Sequence, residues 1–194
     1  GRSDEDYINK IAIDSRDCVY IAGCSKNLVS AVSGFDWWAK KFSEDGTFLW
    51  ELKCDGNGGN DYINYVSVDS SDNVYFVGNG ENLRGPATKA DWWIKKFSAD
   101  GRQLWEQTYD GNGGNDYLNS SAVDAADNLY VVGAGYIVIN EISNYDWWIE
   151  RLSGADGTMD SVYTKTVSYD NKSRYANTVV LDSDSNIIVT GYGE

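Results

Sequence analysis

A chain of 194 residues with 42% hydrophobic and 14% aromatic residues has enough apolar material for a packed core. Sixteen Lys and Arg against 30 Asp and Glu leave a net charge of −14, which argues against nucleic-acid backbones and anionic membrane surfaces as partners. No apolar run approaches the roughly 20 residues that a membrane-spanning helix needs, and residues 1–6 lack the charged and apolar segments of a signal peptide.

In chain order, the first marker is Asp6-Tyr7-Ile8-Asn9. It returns as Asp61-Tyr62-Ile63-Asn64, as Asp116-Tyr117-Leu118-Asn119 and, weakened, as Arg174-Tyr175-Ala176-Asn177. Asp36-Trp37-Trp38 returns as Asp91-Trp92-Trp93 and Asp146-Trp147-Trp148. The first two periods are 55 residues, and the last, at 58, drifts. A repeat of this length is one supersecondary unit that needs neighbours to cover its apolar faces. The units are 6–60, 61–115, 116–173 and a partial 174–194, forming one segment over 1–194.

Within the unit 61–115, the alternating stretch Tyr62–Val68 predicts a first strand, and Asp69–Asn73 a turn. Val74–Gly78 is a continuous apolar strand with counterparts at Val19–Gly23, Leu129–Gly133 and Ile187–Gly191. After a loop of about a dozen residues come Trp92–Phe97, the tight turn Ser98–Gly101, and a last strand Gln103–Tyr109. Counting such strands gives three sets of four and one pair. The second strand is apolar at consecutive positions, and the third opens on two tryptophans that must point to opposite sides, so both faces of each sheet are expected to be buried. Sheets stacked face to face around an axis meet that demand. The expected fold is therefore all-β, a β-propeller of four-stranded repeats with about 3.5 blades present; a β-solenoid is the alternative.

The residues Asp-Trp-Trp-x-Lys-Lys-Phe-Ser-x-Asp-Gly, Leu-Trp, Gly-Gly-Asn-Asp and Val-Asp-x-x-Asp-Asn-Val-Tyr-x-Val-Gly resemble the bacterial SBBP β-propeller repeat over essentially the whole chain. The resemblance implies a propeller in a secreted or surface-anchored protein, and a fold and a location more than a chemistry.

Candidate sites cluster on one edge of the disc. The loop 55–61, repeated verbatim at 110–116, offers Asn57, Asn60, Asp61, Asn112, Asn115 and Asp116 as ligand-binding residues. Asp55, Asn57, Asp110 and Asn112 are hard oxygen donors suited to calcium. The spacing, however, matches neither stacked nonapeptides nor an EF-hand, and a glycine-rich connection between strands accounts for it. The loop is missing at the third junction, 168–174, so calcium is expected not to be required for folding. The loops between the second and third strands break the repeat symmetry. In the third of them Tyr136, Ile137 and Ile139 form an apolar run that asks for a partner. The adjacent tryptophans, Trp38 and Trp93 among them, are expected in the core rather than as sugar platforms.

No His, no nucleophile elbow and no phosphate loop point to an enzyme. Cys18, Cys24 and Cys54 have no counterparts in the second repeat and are read as unpaired, with Cys24–Cys54 the one bridge the strand positions allow. The expectation is a non-enzymatic extracellular scaffold or protein-binding module, completed by a protein partner or by further blades. The alternatives are a carbohydrate-binding, calcium-assisted propeller and the propeller part of a larger secreted enzyme.

Overall fold

A computed structural model describes residues 5–85, 89–111, 113–139, 142–160, 165–167 and 172–193; the side chains of 137–139, 142–143 and 165–167 lie outside the description. The described residues form fourteen strands and no helix. The first sheet is β1 (Asp6–Ile13), β2 (Val19–Lys26), β3 (Phe35–Phe42) and β4 (Phe48–Cys54). The second is β5 (Asp61–Val68), β6 (Val74–Glu81), β7 (Ala90–Phe97) and β8 (Gln103–Tyr109). The third is β9 (Tyr117–Val123), β10 (Leu129–Ile139), β11 (Ile142–Leu152) and β12 (Lys165–Val167), and β13 (Arg174–Leu181) pairs with β14 (Ile187–Gly193) in the fourth. Each sheet is an antiparallel meander in sequence order.

The Asp-Tyr-x-Asn marker has a physical reason. In all four sheets its Asn is the extra residue of a β-bulge between first and second strands, at Asn9, Asn64, Asn119 and Asn177. The bulge frees three of these amides to reach the next sheet: Asn9 Nδ2 donates to Ile63 O (2.9 Å), Asn64 Nδ2 to Leu118 O (2.8 Å) and Asn119 Nδ2 to Ala176 O (2.9 Å). Opposite the bulge stands a glycine. A Cβ on Gly78 would lie 1.9 Å from Tyr62 O, so no other residue fits the crowded backbone there.

The first strand of each sheet lies on the face of the sheet before it: β5 against β1, β2 and β3, β9 against β5, β6 and β7, and β13 against β9, β10 and β11. Three apolar cores result, one per junction. In the second sheet Val74 and Phe76 face the first core while Tyr75 and Val77 face the second, which is why β6 reads as an unbroken apolar run. The tandem tryptophans split the same way. Trp37 meets Trp93 across the first junction (ring centroids 4.5 Å) and Trp92 meets Trp148 across the second (5.2 Å).

Three expectations need correction. Trp38 is only half-buried, because it faces away from the second sheet; Trp37 is the fully buried member of that pair. Tyr136–Ile139 is not loop: β10 and β11 continue their ladder from Tyr136↔Tyr145 to Ile139↔Ile142, as β-branched residues at consecutive positions favour. The other two loops begin later than expected, at Asn27 and Asn82, since β2 and β6 run on past Gly23 and Gly78 to Lys26 and Glu81. A Cys24–Cys54 bridge is ruled out as well. Trp37 on β3 pairs with Cys24 on one side and Cys54 on the other, placing the two cysteines two strand spacings, about 9.6 Å, apart, beyond the reach of a disulfide. All three cysteines are free.

Candidate functional site

The meander puts the glycine-rich loops and the loops between second and third strands on one edge, and the short Asp-rich turns on the other. At the glycine-rich edge each loop is held by both sheets that it joins. Phe35 N donates to Asn60 Oδ1 (3.3 Å) and, one repeat later, Ala90 N to Asn115 Oδ1 (3.1 Å). Asn57 Nδ2 donates to Asn82 O (3.0 Å), and Asn60 N to Glu81 Oε2 (3.0 Å). Asn57, Asn60 and Asn115 therefore serve the loop's own structure. Asn112 lies outside the described residues.

The aspartates behave differently. Asp61 is buried and accepts hydrogen bonds from Gly56 N and, at 3.0 Å, from Glu81 N. Asp116 repeats this with Gly111 N (2.6 Å) and Tyr136 N (2.7 Å). Asp55 Oδ1 accepts from Gly58 N (2.6 Å), as Asp110 Oδ1 does from Gly113 N (2.9 Å). The structure then adds a residue that the sequence had shown only as a repeat marker. Asp36, at the start of β3, comes together with Asp55 and Asp61, and Asp91, at the start of β7, with Asp110 and Asp116; in each triad one carboxylate oxygen per residue lies within 4.8 Å of the other two.

Three acids this close load the site with charge. Burial pushes the Asp61 carboxyl up to about 7 against the pull of the Gly56 and Glu81 amides, and Asp55 and Asp36 push the same way. Burial, then Asp110 and Asp116, push Asp91 up to about 7 despite Arg84 nearby. Asp116 is raised by burial to about 6. The sequence signal that could have found Asp36 and Asp91 is their recurrence in step with the loop aspartates.

Of the apolar run, Tyr136 packs its ring over Gly114 and against Tyr145, so its phenyl group closes the second loop rather than awaiting a partner. Ile137 and Ile139 pair through their backbones within β10–β11, and their side chains are outside the described residues.

The opposite edge carries a second polar system that sequence reasoning missed. Lys41 Nζ, fully buried, lies 2.8 Å from Asp14 Oδ2 and donates to Tyr20 Oη (2.6 Å) and to Ala99 O of the next sheet (3.1 Å). Lys96 repeats it with Asp69 (2.8 Å) and Gly154 O (2.8 Å). Each ammonium is held by a buried aspartate and by a carbonyl of the next sheet, which marks the ladder as structural. Burial also pushes the Cys24 thiol up to about 11 and raises Cys18 and Cys54, leaving no thiolate nucleophile among the three.

A cleft of about 310 Å³ opens on the outer face of the first sheet, where half-buried Trp38 stands beside Asp6, Tyr7, Ser25 and Lys40. In comparisons with known proteins, the chain matches no family model and no curated protein.

Proposed function

We propose that this chain is a non-enzymatic β-propeller segment acting as an extracellular scaffold, completed by further sheets of its own repeat type. The observation that carries this reading is the unused half of a repeated junction. The first two junctions each pair the first tryptophan of one sheet with the second tryptophan of the next. Trp38 is a second tryptophan with no sheet before it, and around it Tyr7, Ile8, Ile11 and Ile13 are 48–63% exposed. At the other end Val180, Ile188 and Tyr192 are 49–56% exposed on the fourth sheet. A sheet with the chemistry of these repeats is the surface that fits both faces. The extracellular or cell-surface location rests on the SBBP resemblance.

Light scattering on the isolated 194-residue chain tests the reading. We expect concentration-dependent association that is abolished by Ile11→Lys together with Ile188→Lys; a monomer at all accessible concentrations would overturn it.

Trp38 favours one second reading, a carbohydrate-binding propeller. A half-buried indole beside Asp6 and Lys40 offers a stacking platform for a sugar ring. Glycan-array signal of the parent chain, lost in a Trp38→Ala variant that still unfolds cooperatively, would select this reading over the scaffold.

A further inference from the structure

We propose that the chain binds two calcium ions, one in each of the carboxylate triads Asp36/Asp55/Asp61 and Asp91/Asp110/Asp116. Proximity of acids alone would not carry this, since acidic clusters on loops are common. Two further features do.

The first is a buried oxygen without a partner in each triad. Asp36 is fully buried, and its Oδ2 is committed to its own loop, accepting from Leu28 N (2.6 Å), Val29 N (2.9 Å) and Ser33 Oγ (2.6 Å). Its Oδ1 is buried with no hydrogen bond among the described residues, and Asp36 is the residue that joins Asp55 and Asp61 in the triad. Asp91 is 2% exposed, and its Oδ2 is likewise without a donor among the described residues. A buried carboxylate oxygen with neither donor nor cation is costly, and here two more carboxylates stand beside it. A divalent cation removes both costs at once.

The second is the third junction, where the chain builds the cation in covalently. Arg174 occupies the repeat position of Asp61 and Asp116, and its Nη1 lies 3.6 Å from Asp146 Oδ1, Asp146 being the counterpart of Asp36 and Asp91. Ser168 stands there at the repeat position of Asp55 and Asp110, and the one acid of the segment, Asp170, lies two residues later. A guanidinium replaces one acid of the triad, and a hydroxyl the other. The two kinds of junction thus differ by the charge of the central group, which is what substitution of a bound cation by a side chain looks like.

The donor set selects the ion. All three groups are carboxylates, the sequence has no His, and no cysteine joins either triad, so the site is hard and oxygen-only. Oxygens bound to one calcium at about 2.4 Å lie at most about 4.8 Å apart, and the three oxygens of each triad stay within that limit of one another. Asp55 and Asp110 are only half-buried, so solvent water reaches the ion to fill its coordination shell.

The test uses the 194-residue chain stripped with EDTA and titrated with calcium chloride by calorimetry, in parallel with terbium luminescence excited through tryptophan. The Trp93 ring and Asp61 Oδ1 border the same space at Gly80, as Trp148 and Asp116 Oδ1 do at Gly111, so both sites should sensitise. Expected are two ions per chain and a melting temperature raised by roughly 5–10 °C at saturation. Asp36→Asn or Asp91→Asn should each leave one ion and the double variant none, while Asp146→Asn keeps two. Asp61→Arg transplants the third junction's solution, and should also leave one ion while melting in EDTA no lower than the parent chain; it answers the question even if the Asn variants fail to fold. No heat at millimolar calcium and no sensitised luminescence with terbium alone, both from folded protein, or two ions still bound by Asp61→Arg, would overturn the proposal.

Discussion

The second sheet and the fourth carry the same kind of sequence and meet opposite fates. In β6, Val74–Gly80 is buried without a break, whereas in β14 the equivalent run Ile187–Gly193 is exposed or half-exposed throughout. Nothing intrinsic to the strands separates them, since both are apolar at consecutive positions and both follow a bulged first strand. The difference is neighbours. β5–β8 is sandwiched between two sheets and contributes to two cores, while β13–β14 shares a single small one. Burial in a repeat protein is a property of the stack, and the same residues change their energetic meaning with position in it.

The sharpest way to break this comparison is at the tryptophans. Trp93→Ala, which empties the first junction, should cost about 3–5 kcal/mol, and the same change at the equivalent but half-buried Trp38 about 1 kcal/mol, read from urea midpoints at constant m. Equal losses would mean that Trp38 is covered in solution.

Next in size is the buried cation ladder. Lys96→Met leaves Asp69 uncompensated in the interior and should cost about 3 kcal/mol. The pH dependence follows from the partner. Burial pulls the Asp69 carboxyl upward, but Lys96, Asn73 and the backbone together outweigh it and hold it below its usual value; Asp14 is lowered in the same way by Lys41 and its turn amides. A depressed folded value means stability that is fully present above the unfolded carboxyl range, near pH 4, and lost as pH falls through the folded value. Denaturant midpoints measured from pH 5 down to 2 should therefore drop, and Lys96→Met should flatten part of the drop. Asp182, the turn aspartate of the fourth sheet, pairs with no lysine among the described residues; Asn186 and the turn amides still hold its carboxyl below the usual value, so Asp182→Asn should flatten the acid drop less than Lys96→Met does.

Gly78→Ala and Gly191→Ala sharpen the contrast. Each new Cβ would meet a tyrosine carbonyl, at 1.9 Å and 2.1 Å respectively. In the central sheet the clash has no room to relax and should cost about 1–3 kcal/mol globally. At Gly191 it should instead raise hydrogen exchange in β13–β14 alone, leaving the global midpoint in place. The smallest effect belongs to the outer surface: Ile11→Thr should shift stability by no more than about 0.5 kcal/mol, because that side chain is already 63% exposed.

Much of this was legible from residues alone. Fourteen strands, their order and most of their boundaries follow from period-2 and apolar-run patterns, and β8 falls at Gln103–Tyr109 as expected. The places where reading failed share a cause. Tyr136–Ile139 resembled loop because it lay where the other repeats have loops, and only its pairing with β11 turned it into strand. Trp38 looked like core because its repeat partners Trp93 and Trp148 are core. Lys41 and Lys96 stood in the sequence only as part of the repeat motif, and their burial depends on an aspartate 27 residues earlier in each repeat, with a carbonyl from the next sheet closing the ladder.

The sequence by itself determined the all-β class, the repeat and the strands, because these rest on local sterics and short-range periodicity. Only the tertiary structure decided which of each tryptophan pair is buried, which lysines are interior, and that Asp36 and Asp91 join the loop aspartates. Those outcomes depend on contacts between residues about 20 to 60 apart, where spacing along the chain carries no information about distance in space.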